Sequence, residues 1–301
     1  MTDSILVVGS VAFDDLETPH GVREGALGGS ANYFSASASL FAPVKLVAVV
    51  GDDFPEQHLE KLAARGVDLA GLERVEGPTF RWKGRYAAED ADAETLDTQL
   101  NVFEHFQPKI PAEWTRSPIV FLGNIHPRLQ LDVLDQMASP RLVAADTMNF
   151  WIDGEREALL EVLARIDLLV INETEARQLA EDDNIFKAAD KVRAMGPKML
   201  VVKRGAYGAL LFHPDGTFFV PAVPLREVID PTGAGDTFAA GLVGSLAADG
   251  ALDMPALRRA VLTGTVMASF ACQGFGLDRV MTVDRAQVEA RLEELLILIR
   301  P

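Results

Sequence analysis

The sequence predicts an α/β protein with a mostly parallel central sheet. Runs such as Ile5-Leu6-Val7-Val8 and Ile119-Val120-Phe121-Leu122 are continuously apolar, as strands buried on both faces are. These runs close on Gly9 and Gly123, and strand-like and helix-like stretches alternate in a βαβ rhythm. With 301 residues, 49% of them apolar, the chain is long enough for one large α/β domain or two small ones.

Each element can be justified in order. Ile5 to Ser10 reads as a buried strand, and Asp14 follows it, either as turn chemistry or as a ligand group at a strand end; Asp15 reads as surface. Gly28-Gly29-Ser30-Ala31-Asn32 opens a small-residue helix to about residue 42, a plain helix entry or one that lets a ligand approach backbone N–H groups. Lys45 to Val50 is the next strand, and a helix ends near Gly66. The rhythm breaks over 78–103. Thr79 to Tyr86 and Thr95 to Phe103 alternate like strands with one exposed face, around an acidic turn from Ala87 to Ala93. Arg81, Lys83 and Arg85 share a strand face that could reach an anion or simply meet solvent.

Buried strands return at 119–123, before His126, and at Leu142 to Ala145, before Asp146 and Asn149. Asp167 to Asn172 is another strand. If a helix starts there, Asn172 and Glu175 lie one turn apart on one face, which suits a reaching-back Glu and also a magnesium site. Met199 to Lys203 is a further strand, and Gly205 and Gly208 turn the chain into the next. The apolar run Val220 to Ile229, broken by two prolines, reads as leading to a strand end. A helix from about Pro255 and an amphipathic helix over 283–299 complete the chain.

Composition removes several function classes. A net charge of −16 lacks the basic surface of a non-specific nucleic-acid binder. It also means that a polyphosphate must be met by local donors and metal rather than by a general positive field. The lone Cys272 leaves no intrachain disulfide and no cysteine-cluster zinc site. The first residues lack a basic signal-peptide n-region, and no run of about 18 apolar residues exists, so a cytoplasmic protein is expected, with no membrane partner.

The stretch with the most chemistry is Asp230-Pro231-Thr232-Gly233-Ala234-Gly235-Asp236-Thr237-Phe238, a glycine turn opening a small-residue helix. The N–H groups of Gly233, Ala234 and Gly235 could converge on an anion at the helix start. An Asp at the mouth of such a site repels a resident phosphate. It suits a transient phosphoryl group whose attacking hydroxyl must lose a proton. An ordinary glycine turn with a capping Asp would use the same residue types.

The full string resembles the C-terminal signature of the ribokinase-like carbohydrate and nucleoside kinases, also called the phosphofructokinase-B type. The resemblance implies a three-layer α/β/α sandwich over 1–301 with a small β lid formed by segments at about 12–26 and 78–103. It implies Asp236 as catalytic base, Gly233, Ala234 and Gly235 as anion hole, and Thr232 beside the nucleotide. It places Asp14, Gly28, Gly29 and Asn32 on the substrate side. The family's Asn-x-x-Glu, here Asn172 and Glu175, holds magnesium through water. Its Gly-x-x-Gly, here Gly205 and Gly208, lies under the nucleotide phosphates. Lys203 stands where the family often has Thr and could itself contact a phosphate. Asp230 falls near a monovalent-cation site, for potassium. Asp146 and Asn149 fall beside the cleft, and residues near 274–276 border adenine.

Two departures concern the substrate. Asn32 comes one residue early and Tyr33 takes the usual Asn position, which leaves the acceptor's identity open; Ser30 replaces a Lys of some relatives, which points away from a phosphorylated acceptor. The expected activity is ATP- and Mg²⁺-dependent phosphorylation of a hydroxyl on a sugar or related polyol, with a homodimer through the lid. A nucleoside kinase of the same family and a non-catalytic nucleotide- or metabolite-sensing protein remain alternatives. There is no Gly-x4-Gly-Lys-Ser/Thr loop and no N-terminal dinucleotide fingerprint.

Overall fold

A computed structural model describes residues 2–88 and 93–300. The chain forms β1 (Ile5–Val8), then the paired strands β2 (Ala12–Thr18) and β3 (Gly21–Gly28), and α1 (Ser30–Ala38). It continues through β4 (Val44–Val50), α2 (Glu56–Ala64), β5 (Val67–Arg74), β6 (Arg81–Arg85) and β7 (Glu94–Gln99). The middle holds β8 (Ile119–Leu122), α3 (Pro127–Gln136), β9 (Leu142–Ala145), α4 (Asn149–Gly154), α5 (Arg156–Leu163), β10 (Leu168–Asn172), α6 (Glu173–Ala180) and α7 (Ile185–Ala194). Last come β11 (Met199–Lys203), β12 (Ala209–His213), β13 (Gly216–Val220), α8 (Ala234–Asp249), α9 (Met254–Ala271) and α10 (Arg285–Ile299).

Nine strands make one sheet in the order β13-β12-β11-β10-β9-β8-β1-β4-β5, parallel from β5 to β11 and antiparallel at β12 and β13. Alternate residues of each buried strand feed two separate cores. Ile5 and Val7 pack with Phe34, Phe238, Leu242 and Met267, while Leu6 and Val8 pack with Val133, Leu159, Leu179 and Val192. Helices α1, α2, α8, α9 and α10 therefore cover one face and α3, α5, α6 and α7 the other, giving the three layers that the family resemblance implied.

The remaining strands form a separate four-stranded sheet, β3-β2-β6-β7. Its central pairing, β2 with β6, is parallel and joins segments far apart in sequence. The alternating stretches thus pair as a small sheet, although residues 101–105 turn into a 3-10 helix instead of prolonging β7. Of the acidic turn over 87–93, residues 89–92 lie outside the described residues.

Three expectations change here. Residues 221–233 form no strand before the signature; Pro221 and Pro224 supply no N–H to a ladder, so the chain leaves the sheet at Val220. Arg81, Lys83 and Arg85 do not stand ready for an anion. Arg81 grips Asp15 through two 2.7 Å hydrogen bonds, and Lys83 and Arg85 pair with Glu17 at 3.1 and 2.9 Å. Asp15 is accordingly not a free surface group: the Arg81 guanidinium beside it holds its carboxyl below the usual range.

Arg65, after α2, fixes α1 against the chain's end. Its guanidinium donates to the carbonyls of Ala36 and Val280, each at 3.2 Å, and of Val283. Replacing it leaves three carbonyls without a charged donor, so Arg65→Ala should lower unfolding free energy by about 2–4 kcal/mol, measured by urea denaturation.

Candidate active site

The parallel sheet changes direction at β1. From there the chain runs outward through β4 and β5 on one side and through β8 to β11 on the other. In open α/β sheets such a switch point leaves a crevice at the C-terminal strand ends. Asp14, Asp146, Asn172 and Lys203 all lie at or just past such ends.

Asp14 lies in β2, which follows closely on the end of β1 at Val8, and it is 4% exposed. A Cβ on Gly28 would fall on the Asp14 carboxylate, so the first glycine of the pair is what admits it. Burial, then the charges of Asp230, Asp236 and Asp15, push its carboxyl well above the usual range, against a hydrogen bond from the Gly29 backbone. Ser30 is turned inward: its N–H donates to Ser10 Oγ at 3.0 Å and its own Oγ accepts from Ser10 N at 3.3 Å.

Asn32 does not line the crevice. It is fully buried, donating from Nδ2 to Gly28 O at 3.1 Å and facing His58 Nε2 through Oδ1 at 2.8 Å. Burial lowers the His58 pKa to about 4, so the ring is neutral and Nε2–H donates to Asn32. This pair braces the glycine pair from behind. Tyr33 faces the signature instead: a Cβ on Gly233 would strike its ring.

In the signature, both Asp230 oxygens accept backbone N–H groups at 2.9 Å, from Thr232 and from Gly276. Asp230 thereby joins the signature loop to the loop after α9. Thr232 Oγ1 donates to the Tyr86 hydroxyl at 3.1 Å, a bond from the signature to the small sheet. Gly233 takes a left-handed φ of 71° as the N-cap of α8. The Ala234 N–H donates back to the Pro231 carbonyl at 3.1 Å, so it is used within the turn and is not part of an open hole as expected. Asp236 follows in the first turn of α8.

Lys203 ends β11 with its ammonium against the same turn; a Cβ on Gly235 would stand 2.8 Å from Nζ. Nζ also donates to Asp146 Oδ2 at 3.3 Å, and Asp146 Oδ1 accepts from Thr147 N at 2.8 Å. Burial alone would lower the Lys203 pKa, but Asp146, Glu175 and Asp236 more than offset it and keep the ammonium charged. Burial, followed by the Asp146 charge, pushes the Asp236 carboxyl up to about 7, with Lys203 opposing. A carboxylate so placed is a base matched to neutral pH.

Asn172 sits beside Lys203 in register and caps α6. Its side chain accepts from Glu175 N, and Glu175 accepts from Asn172 N, both at 2.7 Å. The reaching-back arrangement and a magnesium-facing role are compatible, because a carboxylate has further lone pairs. Among the described residues, no cluster of three or more His, Cys, Asp or Glu could hold a metal by itself. Gly205 and Gly208 make the turn between β11 and β12, closed by Arg204 N to Gly208 O at 2.8 Å. His126 caps α3, accepting from Arg128 N. Its ring lies 5.0 Å from Trp151, whose indole donates to Asn124 at 2.9 Å.

Sequence reasoning missed Tyr86 and underused Asp146. Tyr86 closes an alternating strand and carries no motif of its own, whereas Asp146 at a strand end had a positional signal.

The family model for pfkB family carbohydrate kinases matches residues 1–282. The chain is 30% identical over 246 residues to a cytidine kinase of Thermococcus kodakarensis, covering 79% of this chain and 87% of that protein. It is 29% identical over 233 residues to an ATP-dependent ribose-1-phosphate kinase of Halopiger xanaduensis, covering 76% and 75%. Among solved structures, the Burkholderia thailandensis nucleoside kinase with ADP-inosine superposes with a TM-score of 0.80 at 20% identity, covering 99% of this chain and 97% of that one. Arabidopsis thaliana ribokinase with ribose and ATP gives 0.77 at 24% identity, covering 97% and 99%. The chain belongs to the pfkB family of carbohydrate kinases. It is an ATP-dependent phosphotransferase of the sugar- and nucleoside-kinase kind.

The electrostatics set the pH dependence. The groups bearing on Asp236 are Asp146 and Lys203, and Asp236 in turn bears on Asp14. If Asp236 acts as the base, its pKa of about 7 leaves it protonated below that pH, so kcat/KM should fall about tenfold per pH unit on the acid side and level off above. Removing a neighbouring negative charge favours ionisation. Asp146→Asn should therefore move this acid limb to lower pH by about one unit in pH–rate profiles.

Proposed function

We propose that this protein transfers the γ-phosphoryl group of ATP to a hydroxyl of a ribofuranosyl compound, either a nucleoside or ribose itself. The observation that carries the chemistry is the grouping of a buried anchor, Asp14, set against Gly28 and feeling the charge of Asp236, with that base matched to neutral pH and with the charged ammonium of Lys203 against Gly235 of the signature turn. The cytidine kinase resemblance and the aromatic pair His126–Trp151 beyond β8 and β9 support a nucleoside before a free sugar.

Asp14 orients the acceptor. As the acceptor oxygen attacks the γ-phosphorus and the bond to ADP breaks, its proton passes to Asp236. The start of α8 and the Lys203 ammonium meet the negative charge on the moving group. Lys203 is a local donor in a net acidic chain, and its charge is secured by Asp146, which accepts from its Nζ. Gly205 and Gly208 bend the chain with positive φ in the turn that would lie under the phosphates, with Thr232 assigned to the same nucleotide. Glu175 and Asn172 would hold magnesium through water, and the metal would supply positive charge against the phosphates. A potassium ion would have to share Asp230 with the two N–H groups it already accepts.

ADP release coupled to Mg-ATP should appear with one of cytidine, inosine, ribose or ribose 1-phosphate. Asp236→Asn should retain ATP binding by calorimetry and lose about 10²–10⁴-fold in kcat. Near-normal turnover in that variant would remove Asp236 from its role. ATP binding without turnover of any alcohol would favour a sensing protein.

A further inference from the structure

Tyr86, just past the end of β6, is tied to both halves of the molecule. On one side its N–H donates to the Glu17 carbonyl at 2.8 Å, which fastens it to β2, the strand that carries Asp14. β2 and β6 pair from Phe13 with Arg81 to Glu17 with Arg85, so Asp14 and Tyr86 belong to one continuous piece of sheet. On the other side its hydroxyl accepts from Thr232 Oγ1 at 3.1 Å. Thr232 stands directly before Gly233, the N-cap of α8, and its N–H is held by Asp230 at 2.9 Å. Tyr86 is 9% exposed and Thr232 8%, so water does not readily replace either partner. The other Asp230 oxygen accepts from Gly276, and a Cβ on Gly276 would stand 3.0 Å from the Leu27 carbonyl of β3. The small sheet thus meets the signature loop at two places, and Tyr86 supplies the side chain that reaches the residue next to the turn.

We propose that Tyr86 is a positioning residue that couples the two substrates: through Thr232 it passes the ordering of the small sheet by the acceptor to the turn that opens α8. The inference rests on the kinase reading above. An acceptor held by Asp14 and Asp236 fixes the small sheet against α8. The Tyr86–Thr232 bond hands that restraint to Gly233. The nucleotide then meets a turn whose ordering has already been met by the first ligand, and it binds more tightly. By linkage the nucleotide tightens the acceptor by the same factor. Without the hydroxyl, β2 still holds Asp14 and α8 still carries Asp236, but the two no longer report on each other through this contact.

The test first finds an acceptor by ADP release from Mg-ATP across sugars, polyols and nucleosides. Calorimetry then gives Kd for the non-hydrolysable analogue β,γ-imido-ATP with magnesium, in the presence and absence of that acceptor. In wild type, saturating acceptor should tighten the analogue roughly five- to tenfold. Tyr86→Phe, which keeps the ring, should leave each ligand's separate Kd within about threefold and cut the coupling factor below about twofold. Thr232→Val should abolish the factor as well, and the double variant should lose no more than either single one, because both remove the same bond. Thr232→Ser, which keeps the hydroxyl, should retain it, so the claim is tested on both partners. A merely structural tyrosine would lower the melting temperature of Tyr86→Phe and leave the coupling factor at its wild-type value, and that result overturns the proposal. Absence of tightening in wild type overturns it too. Either outcome leaves the kinase standing, since turnover has been seen. No turnover of any alcohol removes both.

Discussion

Everything in the crevice depends on keeping several carboxyl groups close together out of water. Asp14, Asp146 and Asp230 are all buried, with Asp236 beside them, and a single ammonium, Lys203, stands among them. Without compensation each buried charge costs several kcal/mol or gives way to a proton. The compensation comes from the Lys203 ammonium and Thr147 N–H for Asp146, from Thr232 and the Gly276 N–H for Asp230, and from the Gly29 N–H for Asp14. The residual imbalance is chemically useful, because it holds Asp236 where it can take up and release a proton near neutral pH.

That arrangement explains choices far from the reacting atoms. Asn32 and His58 are spent on keeping the glycine pair in place, and Arg65 ties α1, which follows it, to the end of the chain. Ser10 and Ser30 satisfy each other at the floor of the crevice, so a position that could carry a long cation instead closes the packing. On the proposed reading, Lys203 puts a buried ammonium on the nucleotide side, and the acceptor side is left to carboxylates.

Much of this was legible in the sequence because it is local. The continuous runs at 5–8, 119–122 and 168–172 could only be doubly buried strands, and the signature turn announced both its glycines and its helix. What stayed hidden depends on partners distant along the chain. The face shared by Arg81, Lys83 and Arg85 looked open because Asp15 and Glu17, which neutralise it, arrive through the parallel β2–β6 pairing. Tyr86 and Thr232 meet across 146 positions. Asn32 has the right residue type for a substrate contact, but spacing does not reveal which way a side chain turns. The two prolines after Val220 did carry their own signal, and the chain leaves the sheet where they begin.

On the proposed reading the acceptor is anchored by Asp14, in the small sheet, and deprotonated by Asp236, in helix α8 over the large sheet. A sugar held by both bridges two parts of the molecule, and its binding energy can be used to hold them together. A water molecule is too small to form that bridge. On that reading, the division of labour between the two sheets would guard against wasteful hydrolysis of the nucleotide, by measuring the length of the nucleophile before the phosphate is committed.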